Sequence, residues 1–188
     1  MNEKEWVKTI ISKMENDLRK VNDNLRVRDG YKLPYSSEIL KYNGNDPITP
    51  KFMKYETDIL ISEETGNNEW KPRVIIEAKI NSITTHDAIT YSKKSQTHKN
   101  VHPYLRYGIL IGNRKHYPLP GRLFRHGENF DFMISFKTFS AEKNEWDALI
   151  KIIQSEIKAS NTLEEIIFNS RSKERDHYTS LHRPLNLK

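Results

Sequence analysis

Asp58, Glu77 and Lys79 are the residues of this chain whose types and spacing best suit catalysis on a charged substrate. Glu77 and Lys79 sit in RVIIEAKI (73–80), a β-branched run that reads as a strand. Two residues apart on a strand, their side chains point the same way, with Cα atoms roughly 6.5–7 Å apart. The alternate positions Val74, Ile76, Ala78 and Ile80 are uniformly apolar and belong to a core. An acid and a base on the other face are costly to bury unless paired or metal-bound, so that face is expected to open onto a cleft. Upstream, YETDILIS (55–62) alternates, with Tyr55, Thr57, Ile59 and Ile61 on one face and Glu56, Asp58 and Leu60 on the other. The polar turn SEETGNNEWKP between the runs predicts an antiparallel hairpin, in a register that sets Asp58 opposite Glu77.

Facing carboxylates repel unless a hard cation lies between them. Magnesium uses one or two carboxylates plus water and substrate phosphate, and manganese can substitute. An ammonium at Lys79 would orient or help deprotonate a water and stabilise charge on a phosphate under attack. The competing reading is a surface ion-pair cluster, Asp58–Lys79–Glu77, with no metal at all.

The balance of the chain favours a polyanionic partner. Net charge is +6 over 188 residues and the pI about 9.3, which suits binding by counterion release. RKHYPLPGRLFRH (114–126) and KKSQTHKNVHPYLR (93–106) contain no acid. The absence of cysteine removes disulfides and thiolate chemistry. There is no G-x-S-x-G elbow and no glycine-rich phosphate loop, so neither a serine hydrolase nor a nucleotide cofactor is expected. His98 and His102 lack a third zinc ligand, and the aromatics at 130–139 suit a core. No apolar run is long enough for a bilayer and the N-terminus lacks a cleavage site, so a soluble cytoplasmic protein is expected.

The positioning elements follow from periodicity. Residues 3–21 predict an amphipathic helix with Trp6, Ile10, Met14, Leu18 and Val21 on one stripe. Residues 22–53, with Gly30, Pro34, Gly44, Pro47 and Pro50, admit only short elements. A helix capped at Thr84 or Thr85 runs to about Lys99, followed by strands at 107–112 and 130–136 and helices at 141–158 and 162–169. The tail, SRSKERDHYTSLHRPLNLK, is basic and poor in apolar residues. The expectation is a single α/β (α+β) domain over 1–188, a mixed central sheet flanked by helices, with its catalytic core at about 55–112.

Asp58, a turn, then Glu77-Ala78-Lys79 resembles the PD-(D/E)XK nuclease superfamily, which includes type II restriction endonucleases and repair nucleases. Thr57 stands where the family name has proline. The resemblance covers roughly 55–112 and implies a restriction-endonuclease-like core. It makes Asp58 and Glu77 metal ligands, the Ala78 carbonyl a third, and Lys79 the water-activating base. A further carboxylate on an earlier helix is expected; Glu38, in YSSEILKY with Ser36 or Ser37 starting a short helix, is the candidate, with Glu15 and Glu5 as alternatives. Lys93, Lys94, Gln96 and Lys99 would contact phosphates. Asn113, Arg114, Lys115, Arg122 and Arg125, in a loop at 113–126, are the best-stocked group for reading bases. The implied activity is a magnesium-dependent endonuclease on double-stranded DNA, a type II restriction enzyme acting as a homodimer on a palindromic site. The alternatives are a repair or structure-specific nuclease and a non-catalytic DNA-binding module.

Overall fold

The computed structural model describes residues 1–48, 51–116 and 119–169; the tail lies outside the described residues. The elements run α1 (Glu3–Arg19), β1 (Leu25–Glu38), β2 (Lys41–Asn43), β3 (Asp46–Ile48), β4 (Lys51–Gly66), β5 (Glu69–Ile80), α2 (Thr85–Val101), β6 (Arg106–Gly112), α3 (Gly121–His126), β7 (Phe132–Ser135) and α4 (Lys143–Glu164), which continues into a π-helical turn over Glu165–Asn169. A five-stranded sheet has the order β1-β4-β5-β6-β7, and β2 and β3 form a separate two-stranded ribbon. The β1–β4 and β4–β5 pairs are antiparallel, and β5–β6 and β6–β7 are parallel. The expected mixed sheet flanked by helices is therefore the observed architecture.

Each face of the sheet buries its own core. Trp6, Met14 and Leu18 of α1 and Leu149 and Ile153 of α4 pack on Ile59, Ile61, Val74, Ile76 and Ala78. Ala88 of α2 and Leu123 of α3 pack on the other side with Leu60, Ile75, Tyr107, Ile109 and Ile111. β5 and β6 are thus buried on both faces, as strands between helical layers must be.

The ends of the elements explain the local departures from expectation. α1 begins with a capping box between Asn2 and Glu5 and stops at Arg19, so Val21 is outside the stripe and exposed. The β4–β5 hairpin is longer than its apolar runs, because Asn67 and Asn68 both accept positive φ and turn the chain in two residues. β1 is the main correction. Gly30, at φ +60°, and a bulge between Pro34 and Ser36 let a 14-residue strand run through positions that read as breakers. The helix expected at Ser36–Glu38 is therefore strand. One continuous α4 replaces the two helices expected, and Thr162, instead of capping a start, returns its hydroxyl to Lys158 O at 3.0 Å.

Candidate active site

The site forms where β4 and β5 part. Their ladder pairs Ile59 with Ile76, Leu60 with Ile75 and Ile61 with Val74, the register expected from the sequence, and its last pair on this side is Ile59–Ile76. One step further, Asp58 Oδ2 accepts the Ala78 N–H at 2.8 Å, replacing the missing ladder bond with a carboxylate.

The pleat also inverts here. Ile59 and Ile61 point to the α1 layer. Tyr55, of the same parity, instead stacks on Tyr35 and lies edge-on to His98 of α2. Leu60 points to the α2 layer, whereas the Glu56 carboxylate meets Lys4 of α1 at 3.1 Å. Opposite the inversion lies Gly30, whose positive φ needs no Cβ. The expectation that Tyr55, Thr57, Ile59 and Ile61 share one face is thus corrected at Tyr55. Asp58, half-buried at the crossover, lines a cleft of about 180 Å³ with Lys4, Lys8, Asp29 and Glu56 among its walls.

Glu77 is 1% exposed. The Tyr107 hydroxyl donates to its Oε1, and Lys94 Nζ lies 2.7 Å from the same oxygen. Burial pushes its carboxyl up to about 7, with the Lys94 ammonium opposing and the Asp58 charge adding to the rise. Tyr107, buried beside that carboxylate, is held well above the usual phenol range.

Lys79 emerges two residues on. Its Nζ meets Glu3 Oε2 of α1 at 2.9 Å and lies 4.4 Å from the centre of the Tyr91 ring. Burial alone would lower the ammonium's pKa, but the Tyr91 hydroxyl and Glu3 outweigh it and hold the group above its usual value. Lys79 therefore stays charged across the neutral range.

No protein-family model matches the chain, and no curated protein is significantly similar to it.

Glu77 and Lys79 lie two residues apart on β5, and the Asp58 carboxylate reaches the N–H of Ala78 between them, while the Lys79 ammonium turns to Glu3. Glu38 does not join them. It pairs with Lys51 at the far end of β4, seven strand residues from Asp58 and roughly 23 Å away. Glu15 accepts the Val27 N–H and Glu5 caps α1, so both are committed to structure. The earlier-helix carboxylate that does reach the site is Glu3, whose place in the first turn of α1 reads in sequence only as a helix-dipole partner. Tyr107 and Tyr91 were also not singled out. The one available signal was a hydroxyl-bearing residue opening the otherwise apolar YGILIG strand.

The expected DNA contacts fall in different settings. Lys94 lies inside the site, bonded to Glu77 and to the Glu56 carbonyl at 2.7 Å, instead of facing solvent. Lys99 pairs with the buried Asp131 at 2.8 Å and bonds Asn129 O, so a phosphate role for it is corrected. Lys93 and Gln96 are exposed and bonded to each other. Asn113, Arg114 and Lys115 follow β6 at the sheet end that also carries Lys79, and Asn113 donates to Asn81, just past β5. The loop expected over 113–126 contains α3; Arg122 there donates to Ile83 O, and Arg125 is exposed. Phe130, Phe132 and Phe136 are core, as the sequence suggested, and His98 is buried against Pro34 O.

Among the described residues no three His, Cys, Asp or Glu side chains form a metal-binding group. Magnesium keeps most of its waters and needs only one or two carboxylates, which Asp58 and Glu77 could supply. The Glu77 carboxyl is raised chiefly by burial and to a lesser extent by the Asp58 charge, a cost that a dication would relieve.

Proposed function

We infer that this chain is a magnesium-dependent nuclease hydrolysing phosphodiester bonds of double-stranded DNA. The observation that carries this reading is the placement of Glu77 and Lys79 on β5 either side of Ala78, whose N–H holds Asp58, where β4 and β5 diverge, within a protein of net charge +6. Asp58 and Glu77 would hold the cation, with the Ala78 carbonyl as a further ligand. Once bound, the metal supplies charge neutralisation at the phosphate and a more acidic water. The chain's own residues do the rest. Asp58, anchored by the Ala78 N–H, has a fixed orientation. Tyr107 and Lys94 hold the Glu77 carboxylate from its buried side. Lys79, kept protonated by Tyr91 and Glu3, donates to a phosphate oxygen or orients the attacking water. That refines the role implied by resemblance, since a base must shed its proton and this ammonium is held against doing so.

Hydrolysis adds water across phosphorus and breaks the P–O3′ bond, leaving 5′-phosphate and 3′-hydroxyl ends. The setting suits a type II restriction endonuclease of the cytoplasm, working as a homodimer on a short palindrome; a repair or structure-specific nuclease would use the same centre. No helix among the described residues is long and apolar enough to cross a membrane. The experiment is incubation with plasmid and unmethylated phage DNA, with and without magnesium, beside Lys79→Ala. Discrete magnesium-dependent fragments lost in the variant support a sequence-specific enzyme. Cleavage that survives in the variant sinks this centre, and metal-independent binding without cleavage points to a DNA-binding module.

A further inference from the structure

β1 and β4 continue past the candidate site as a two-stranded arm. Beyond the Gly30 inversion, Tyr31–Glu38 pairs with Lys51–Thr57, and β2 and β3 extend the chain between them. Lys51 lies seven strand residues beyond Asp58, roughly 23 Å along the ribbon. The arm is fixed at its base. Tyr35 stacks on Tyr55 with ring centres 3.7 Å apart, and His98 of α2 bonds Pro34 O at 3.1 Å. Tyr107, which holds Glu77, stacks against the same histidine.

The arm's surface is basic and unusually apolar. Lys32, Lys41, Lys51 and Lys54 are exposed, against three acids, Glu38, Asp46 and Glu56, the last paired with Lys4. Leu40 is 89% exposed, Tyr42 61% and Phe52 53%. Across the sheet end, β6 leads into the basic segment Arg114–His116. The acidic centre on β4 and β5 therefore lies between two basic margins. Strands β1 and β6 stand three spacings apart, roughly 14 Å, within the width of a duplex. A two-stranded ribbon also fits a major groove about 12 Å wide.

We propose that this arm is a DNA-binding ribbon, with Lys41, Lys51 and Lys54 on phosphates and Leu40 and Tyr42 packed into the groove roughly 23 Å from the scissile bond. The inference rests on the nuclease reading for its duplex partner. Phosphate-bound lysines set the salt dependence of binding, whereas groove-packed apolar residues set affinity without it.

The test is fluorescence anisotropy of the full chain with a labelled random-sequence duplex, in EDTA so that nothing is cut, across a series of salt concentrations. Lys41→Gln/Lys51→Gln/Lys54→Gln should flatten the log–log salt slope by about 2.7 and weaken binding at least about tenfold. Leu40→Ser/Tyr42→Ser should weaken binding at an unchanged slope, and Lys151→Gln/Lys158→Gln on α4 should change neither. Wild-type affinity and slope in the triple variant overturn the inference while leaving the nuclease reading to its own cleavage assay. A wild-type dimer that becomes monomeric in the Leu40/Tyr42 variant, with DNA binding intact, also overturns it and makes the arm a self-association element. No duplex binding by wild type overturns the inference and the duplex-nuclease reading together.

Discussion

The Asp58 carboxylate accepts the Ala78 N–H at 2.8 Å where the β4–β5 ladder ends, so one side chain both closes the hairpin and faces the candidate metal position. The two duties can be separated. Asp58→Asn keeps an oxygen for the Ala78 N–H but loses the charge, so cleavage should fall at least about 100-fold with melting nearly unchanged. Asp58→Ala leaves a part-buried N–H unsatisfied and should cost a further 1–3 kcal/mol or about that. Thermal melts beside plasmid cleavage distinguish the two; equal melting of both variants would show that the bond does not hold the strands.

Lys79 depends on Glu3 across the sheet end, at 2.9 Å. Lys79→Met should abolish cleavage. Glu3→Gln removes one of the groups that raise the ammonium's pKa, so cleavage should fall about tenfold and its alkaline limb should move to lower pH. An alkaline limb that stays in place in Glu3→Gln would separate Glu3 from the reaction.

His98 gives an acid-sensitivity that can be isolated. Burial is the main cause that pushes its imidazole down to about 4, with Lys94 and His102 adding and the Pro34 carbonyl opposing. Because the folded protein resists a proton that the unfolded chain accepts near pH 6.5, stability is present above that pH and is lost as pH falls toward about 4. The loss amounts to about 3 kcal/mol. His98→Asn should melt lower at pH 7 but lose less between pH 6.5 and about 4 than wild type does. His102, also pushed down by burial, keeps its own share of the slope in both proteins.

The hairpin register was legible because both strands are pinned by apolar alternation around Ile59–Ile61 and Val74–Ile76, where a slip would expose a core face. Asp58, Glu77 and Lys79 followed from it. β1 was not legible, since Gly30 and Pro34 act as an inversion and a bulge only when a partner strand fixes their neighbours. α2 was found from its cap, but its buried face, Ala88, Ser92, Ser95 and His98, is small and polar, so hydrophobicity could not orient it. Consequently Lys94 and Lys99 read as solvent-facing phosphate ligands when they turn inward to Glu77 and Asp131. Glu3 was missed because nothing in a first helical turn reports which strand end it will reach.

Gly112, at the end of β6, has Trp6 against it; a Cβ there would lie 2.5 Å from the indole. Gly112→Ala should destabilise by about 1–3 kcal/mol through overpacking and shift α1, carrying Glu3 away from Lys79. Cleavage should then fall more than the loss of folded protein explains. Activity that tracks the folded fraction alone would show that α1 tolerates the shift.

The Glu77 carboxyl offers a test of the metal that does not need cleavage. In EDTA its raised pKa means that stability is fully present below about pH 4.5 and is lost as pH climbs through about 7, a burden of about 3 kcal/mol. Glu77→Gln keeps an acceptor for Tyr107 and Lys94 but carries no charge, so its melting temperature should overtake wild type progressively as pH rises from 4.5 to 8. Magnesium should reverse the order at pH 8. A cation bound only by the folded state stabilises by mass action, about 2.7 kcal/mol at a hundredfold excess over its Kd. Wild type should gain that increment and Glu77→Gln should not. Differential scanning fluorimetry across pH, with EDTA or magnesium, reads both effects. A wild-type melting temperature that is indifferent to magnesium at every pH would remove the metal from this site and leave Glu77–Lys94 and Lys79–Glu3 as structural ion pairs.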